Sequence, residues 1–181
     1  MYITKKYLKS NLTLGISEVF NRMKIIEIAT KGLTLFEEQD NFIIRKSLKI
    51  EGYKPKYLTK EQLEQLAKKL DYFYELGLIH GDLHFKNLIV SNNEVHIIDW
   101  EPSLKQLMGN MNTLMYTAPW IDPEDKKNRI LTLKTDLMCF YKIKTNKKFN
   151  YFLQNDWLYL KEKIKNVKMP FTSLNQEKLN D

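Results

Sequence analysis

The chain has 181 residues, of which 43% are hydrophobic and 28% are charged, as in an ordinary soluble domain. Its only cysteine, Cys139, excludes an internal disulfide framework, and the apolar residues around it predict a buried thiol. No apolar run is long enough to cross a membrane, and the first residues lack the apolar core of a signal peptide. A soluble cytoplasmic protein is therefore expected.

The net charge of +7 comes almost entirely from lysine, because the only arginines are Arg22, Arg45 and Arg129. Such a surface attracts nucleotides or acidic partners, or is simply solvated. A helix is predicted within residues 149–167, and its basic face is expected to contact solvent. Nucleic acid is therefore not the expected partner.

The first third of the chain alternates between strand and helix patterns. Residues 2–9 read as a strand, and residues 16–29 carry a helical pattern with one apolar face. Two further strands are predicted at residues 33–37 and 41–48, around a turn at residues 38–40. Residues 49–53 then form a connecting segment.

The clearest helix follows Thr59, which can cap it, while Gln62 completes a capping box. Gly77 supplies the C-terminal stop. The apolar residues that fall on one face at helical spacing, and so predict a core contact, are Leu63, Leu66, Ala67, Leu70, Phe73 and Tyr74.

Chemistry is concentrated in residues 79–101, which contain His-Gly-Asp-Leu-His-Phe-Lys-Asn and then Ile-Ile-Asp-Trp-Glu. Two short strands joined by the turn at residues 91–93 should bring Asp82, Asn87 and Asp99 together. Two carboxylates and an amide oxygen suit a magnesium ion that also holds phosphates. The rival hypothesis is a zinc site. Its ligands would be drawn from His80, Asp82, His84, His96 and Asp99.

The His-x-Asp-x-x-x-x-Asn spacing, followed by a hairpin and an aspartate, resembles the catalytic core of the protein-kinase-like superfamily. By this resemblance Asp82 is the catalytic base, and Asn87 and Asp99 bind magnesium. Lys86 would neutralise charge on the transferred phosphoryl group. The resemblance also implies a strand lysine that holds the nucleotide phosphates, with a helix glutamate behind it. Lys5 and Glu18 are the candidates.

Both of those assignments have alternatives, since Lys6 fits the strand position nearly as well and Glu27 is a second helix glutamate. The branch of the superfamily is open as well. His-Gly-Asp-Leu-His and Asp-Trp-Glu are closer to aminoglycoside and choline phosphotransferases. Residues 115–120, with Ala-Pro, and Asp136 resemble instead the activation segment and the following helix of protein kinases. In those enzymes that aspartate braces the catalytic loop.

The resemblance implies an α+β, two-lobe kinase-like fold in one domain of residues 1–181. Residues 1–52 would form a reduced N-lobe, residues 53–169 a shortened, mainly helical C-lobe, and residues 170–181 a flexible tail. The sequence contains no Gly-x-Gly-x-x-Gly loop. The first two N-lobe strands are therefore expected to be missing, and a partner protein could complete the lobe. Minimal kinases of this size include secreted effectors, so secretion is the alternative location.

The predicted activity is transfer of the γ-phosphoryl group of ATP, with Mg²⁺, to a hydroxyl group. A serine or threonine of a protein substrate is the favoured acceptor. The alternatives are a small-molecule alcohol, such as an aminoglycoside, choline or a lipopolysaccharide sugar, and a pseudokinase that only binds.

Overall fold

The structure, a computed structural model, describes residues 1–11, 16–100 and 133–146. This part of the chain is an α+β arrangement, as predicted. In chain order its elements are β1 (Tyr2–Leu8), α1 (Ile16–Ala29), β2 (Thr34–Gln39), β3 (Phe42–Leu48), α2 (Lys60–Glu75), β4 (Leu88–Ser91), β5 (Glu94–Ile97) and α3 (Leu133–Thr145). The predicted helix within residues 149–167, the tail at residues 170–181 and the Ala-Pro segment at residues 115–120 lie outside the described residues.

The first three strands form an antiparallel sheet in the order β1-β3-β2. Helix α1 packs on this sheet through Met23 and Ile26, which are at most 1% exposed. The predicted turn at residues 38–40 is wrong, since pairing continues to Gln39 opposite Phe42. The connection is therefore only two residues long. It consists of aspartate and asparagine, which favour turns and shorten the loop.

The segment after β3 is attached to the second, two-stranded sheet. Tyr53 and Val90 exchange two backbone hydrogen bonds, with N···O distances of 3.1 and 2.9 Å. A side chain on Gly52 could not fit here, because its Cβ would lie 2.4 Å from the carbonyl oxygen of Val90. The glycine therefore permits the close approach of these two backbones.

Helix α2 begins and ends as predicted. The side chain of Thr59 accepts the backbone N–H of Gln62, and the side chain of Gln62 accepts the N–H of Thr59. At the other end Gly77 adopts a φ of 74°, and the N–H of Leu78 donates to the carbonyl of Phe73 at 2.9 Å in a Schellman motif.

The apolar face of α2 is buried as expected at four positions, Leu63 is partly buried, and Tyr74 is an exception. Leu66, Ala67, Leu70 and Phe73 are at most 7% exposed, whereas Tyr74 is 41% exposed. Tyr74 therefore does not belong to the core. It lies one position beyond Phe73 on the helix, where the surface has already turned toward solvent.

Strands β4 and β5 form the predicted hairpin, but its turn is residues 92 and 93 and not 91–93, because Ser91 belongs to β4 and pairs with Glu94. Asn92 and Asn93 both have positive φ, at 49° and 62°, which is the pattern of a tight two-residue hairpin turn. Helix α2 holds this turn, because the side chain of Gln62 donates to Asn93 Oδ1 and that of Gln65 donates to its backbone carbonyl, both at 3.1 Å.

Helix α3 is buried along most of its length, and Leu137, Met138, Cys139 and Phe140 are fully buried. Cys139 is thus a packed side chain, as predicted, and burial raises the pKa of its thiol well above the ordinary value. No helix in residues 16–100 or 133–146 has the length and apolarity needed to cross a bilayer.

Candidate active site

The loop between α2 and β4 is fixed by a carboxylate from α3. Asp136 accepts the backbone N–H of His80 at 2.6 Å and that of Gly81 at 2.8 Å. Burial raises the pKa of Asp136, while nearby His80 and the two N–H groups act to lower it. The two aligned donors hold the loop in one conformation, so the predicted bracing contact is present.

Gly81 has a φ of 79°, a conformation that side chains disfavour. The glycine lets the chain turn sharply between the two groups that flank it. His80 is thereby directed into the interior, where it is 1% exposed, while Asp82 remains partly open to solvent with a side-chain exposure of 29%.

The imidazole of His80 links the loop to the end of β5. Its Nδ1 accepts the backbone N–H of Asp82 at 3.2 Å, which leaves Nε2 as the protonated nitrogen that donates to the carbonyl of Ile98 at 2.9 Å. Both ring nitrogens are thus engaged. His80 positions the backbone on either side of the site and presents no free nitrogen to a substrate or metal.

Asp82 and Asn87 are joined directly. The amide nitrogen of Asn87 donates to the backbone carbonyl of Asp82 at 2.8 Å and to its Oδ2 at 3.2 Å. Because the amide nitrogen faces Asp82, the oxygen is the atom that Asn87 can offer to a metal. Its backbone carbonyl accepts the N–H of Ile98 at 3.0 Å, so Asn87 also lies beside the residue that precedes Asp99.

Asp99 follows β5 in a left-handed backbone conformation, with a φ of 63°. Aspartate tolerates this region better than most residues, and such conformations cluster at functional sites. Its Oδ1 lies 3.6 Å from Lys5 Nζ and 3.5 Å from Arg45 Nη2. Two cations from the first sheet therefore meet a carboxylate at the end of the second.

Trp100, the next residue, anchors this end of the hairpin. It is 1% exposed and packs edge-on against Phe73 of α2 and against the ring of His80, each at a centroid distance of 4.9 Å. Burial of the indole holds the backbone on the far side of Asp99, just as the Asn87–Ile98 bond holds it on the near side.

Of the two lysine candidates, Lys5 is the one at the site. Successive residues of a strand point to opposite faces, and the ammonium of Lys6 lies instead over the Phe42 ring at 5.8 Å. The carboxylate of Glu27 accepts the backbone N–H of Phe36 at 2.6 Å, so it braces β2. Glu18 falls on α1 as expected, but its side chain lies outside the described part.

Lys86 is exposed, and among the described residues its side chain makes no hydrogen bond or ion pair. Its backbone N–H donates to His84 Nδ1 at 3.1 Å. The ring of His84 is thereby turned so that Nε2 lies 3.5 Å from Asp82 Oδ1. In the described part of the chain the side chain of His84 therefore contacts the predicted base, and the side chain of Lys86 does not.

Sequence reasoning missed Arg45 and the contact of His84 with Asp82. His84 stands two residues after Asp82. That spacing suggested a zinc ligand or the small-molecule branch of the superfamily, and not a contact with Asp82. Arg45 had a signal too, because it directly follows the apolar residues Phe42, Ile43 and Ile44 of the same strand. Its relation to Lys5 depends on the register between β1 and β3, which the sequence does not display.

The alternative zinc site is not supported by this geometry. His80 uses both ring nitrogens, and His96 lies beside Glu94, with Nε2 3.9 Å from the carboxylate. Within the residues that the structure describes, no group of three or more His, Cys, Asp or Glu side chains is arranged to hold a metal. The remaining donors, from Asp99, Asn87 and Asp82, are hard oxygens that fit Mg²⁺.

A cavity of about 420 Å³ lies elsewhere, where the end of α1 meets α2 and β5. Thr30, Tyr72 and His96 are among the residues that line it, and Asp82 and Asp99 are not. It is therefore separate from the candidate active site.

Comparison with known proteins agrees with the geometry of the site. A family model described as the RIO domain matches residues 40–115. The serine/threonine-protein kinase Nek11 of Homo sapiens is 33% identical in an alignment 119 residues long, and the alignment covers 56% of this chain and 18% of that protein. The protein of the same name from Macaca fascicularis matches with the same identity and coverage. The chain thus spans less than a fifth of the length of these curated relatives.

The matched region includes the loop with Asp82 and Asn87, the hairpin and Asp99. The similarities support a kinase-like phosphotransferase, in agreement with the clustered oxygen donors and the opposing lysine. In both its sequence and the geometry of this site, the chain thus resembles the protein-kinase-like superfamily.

Proposed function

We propose that this protein is an ATP- and Mg²⁺-dependent kinase that transfers the γ-phosphoryl group to a hydroxyl group. One observation carries the proposal. Lys5, from the first sheet, lies 3.6 Å from Asp99, while Asp99 is tied through Ile98 and Asn87 to Asp82. A cation for phosphates, oxygen ligands for a metal and a candidate base therefore occupy one small region.

Asp99 and the amide oxygen of Asn87 are the groups that would hold Mg²⁺. When bound, the ion neutralises charge on the phosphates and orients the transferred group. Lys5, which reaches Asp99 from the first sheet, would bind phosphate oxygens. In this kind of site, positioning and charge neutralisation account for most of the rate enhancement.

Asp82 acts on the acceptor. Its carboxylate is partly exposed, so a substrate hydroxyl can reach it, while Asn87 and His84 fix its orientation. As the acceptor oxygen bonds to the γ-phosphorus, the bond from that phosphorus to the β–γ bridging oxygen breaks. ADP leaves with the bridging oxygen, and the hydroxyl proton passes to Asp82.

The favoured acceptor is a serine or threonine of a protein substrate. This is supported by the similarity to a protein named as a serine/threonine-protein kinase and by the bracing of the loop by Asp136. The second candidate is a small-molecule alcohol. It is favoured by Trp100 after Asp99 and by His84, since both belong to the motif variant typical of small-molecule phosphotransferases.

In this proposal residues 1–52 form a reduced N-lobe and residues 53–169 a C-lobe. A partner protein completes the small lobe, and the protein acts in the cytoplasm.

The test is ATP turnover by the wild-type chain and by Asp82→Asn, with casein-type protein acceptors and aminoglycosides offered in parallel. We expect Asp82→Asn to bind MgATP normally and to lose about a hundredfold or more in transfer, because the positioned base is gone. The exposed Glu51→Ala serves as a control. Equal turnover by wild type and Asp82→Asn would overturn the assigned base. Tight MgATP binding without transfer to any acceptor would favour the pseudokinase.

A further inference from the structure

Arg45 is a buried charged residue in the middle of β3, with an exposure of 4%. Among the described residues it makes one polar contact, from Nη2 to Asp99 Oδ1 at 3.5 Å. Within that part of the chain its Nε and Nη1 are buried without a hydrogen-bond partner. An arginine keeps its charge in proteins and has five N–H donors, so most of its binding capacity is unused.

A buried cation with so few partners is costly, since its lost hydration is not replaced. The exposed pairs of this protein are much closer, with Lys9 Nζ 2.6 Å from Glu38 and Lys69 Nζ 2.7 Å from Glu94. The Arg45 contact is longer than these two pairs and similar to the 3.6 Å contact that Lys5 makes with the same carboxylate. Together with the unpaired Nε and Nη1, it leaves Arg45 able to bind a further anionic group.

The strand register adds a second, independent observation. Lys5 on β1 lies directly opposite Arg45 on β3, and both side chains reach the same oxygen of Asp99. Like charges opposite one another destabilise a sheet unless an anion separates them. Two cations from neighbouring strands therefore converge on one oxygen of the proposed metal ligand.

We propose that Arg45 and Lys5 together form the phosphate-binding site, with Arg45 as its second cation; this rests on the proposed function. A guanidinium binds phosphate through two parallel N–H···O bonds, whereas an ammonium acts as a point charge. Lys5, at 40% side-chain exposure, meets the phosphates first, and Arg45 lies behind it at 5%. Without a nucleotide, the Asp99 carboxylate is the anionic partner of Arg45, and phosphate oxygens replace it when they bind.

The probe is inorganic tripolyphosphate, which has the charge of the ATP phosphates and no base. Its binding is measured by calorimetry in EDTA for wild type, Arg45→Gln, Arg45→Lys and Lys46→Gln. Lys46 is the matched control, because it is the next residue of β3, carries the same charge, and pairs with Glu37 on the exposed face. MgATP binding is measured on the same samples.

We expect Arg45→Gln to weaken tripolyphosphate binding by about tenfold or more, as expected for a lost charge-assisted pair. Arg45→Lys should fall between wild type and Arg45→Gln, and Lys46→Gln should stay within about twofold of wild type. Tripolyphosphate should also raise the melting temperature of wild type and Lys46→Gln but not that of Arg45→Gln. If Arg45→Gln does not fold, Arg45→Lys provides the comparison.

Tripolyphosphate binding by Arg45→Gln that equals Lys46→Gln would overturn the inference. So would a wild type that binds no tripolyphosphate. If MgATP still binds wild type in either case, the proposed function stands without this role for Arg45. Arg45-dependent tripolyphosphate binding without MgATP binding would support the anion site and oppose the proposed function.

Discussion

The carboxylate of Asp136 accepts the backbone N–H of His80 at 2.6 Å, although 56 residues separate the two in sequence. The same carboxylate accepts the N–H of Gly81. Two buried donors of the loop that carries Asp82 thus depend on a single side chain from α3. The conformation of the candidate active site is therefore coupled to the packing of that helix.

The first prediction concerns this contact. Asp136→Ala leaves two buried N–H groups without a partner and should lower the free energy of unfolding by about 2–5 kcal/mol. Asp136→Asn can accept only one of them and should cost about 1–3 kcal/mol. Denaturant unfolding gives both values, with the exposed Glu51→Ala as the control. A cost below about 0.5 kcal/mol for Asp136→Ala would show that the contact does not hold the loop.

Trp100 gives the second prediction, since it is buried against Phe73 and His80. Trp100→Ala should destabilise the protein by about 3–5 kcal/mol through the cavity it leaves. Trp100→Phe should cost clearly less, because Nε1 of the indole has no hydrogen bond in the described part of the chain. Thermal or denaturant unfolding measures both. Equal losses of stability in Trp100→Ala and Trp100→Phe would contradict this prediction. They would mean that the indole N–H, and not the volume of the side chain, stabilises the protein.

The third prediction is a pH dependence that arises at His96. Burial lowers the pKa of His96 from its ordinary value of 6.5, and Lys69 lowers it further, while Glu94 opposes both. The folded protein thus binds a proton at this site less readily than the unfolded chain. The stabilising contribution is complete above the unfolded-state pKa near 6.5 and is lost as the pH falls through the lower folded-state pKa.

His96→Gln should remove this part of the pH dependence, so wild type should lose more stability than the variant between neutral and mildly acidic pH. Unfolding free energies measured in steps from pH 8 downward, for both proteins, test the point. The other two histidines are common to both and cancel in the difference. Parallel curves for wild type and His96→Gln would contradict the assigned cause.

Local rules predicted much of this fold. Three features each depend on neighbours within a few positions: the capping box of Thr59 and Gln62, the stop at Gly77, and the hairpin turn, which the sequence predicted one residue too long. The catalytic-loop spacing behaves in the same way, because Asn87 reaches Asp82 across only five residues. Such features are visible in sequence because one short segment contains all the groups involved.

The rest depends on relations between distant segments. The choice of Lys5 over Lys6 follows from the face of β1 that meets Asp99, and the role of Arg45 follows from its register opposite Lys5. Neither the face of β1 nor the register of β3 can be deduced from the residues of one strand alone. Tyr74 was misplaced for a related reason, since helical spacing gives the apolar stripe but not the edge at which it meets solvent.

The most direct test of the central claim is ATP binding by calorimetry, with Mg²⁺ and with EDTA, to wild type and Asp99→Asn. Asparagine removes the charge but tolerates the left-handed conformation at this position, which alanine does less well. We expect wild type to bind ATP more tightly with Mg²⁺ than without it, and Asp99→Asn to lose that difference. Metal-free ATP should bind Asp99→Asn at least as well as wild type, because Lys5 and Arg45 are then released from the carboxylate. MgATP binding that is unchanged in Asp99→Asn, or absent from wild type, would contradict the account.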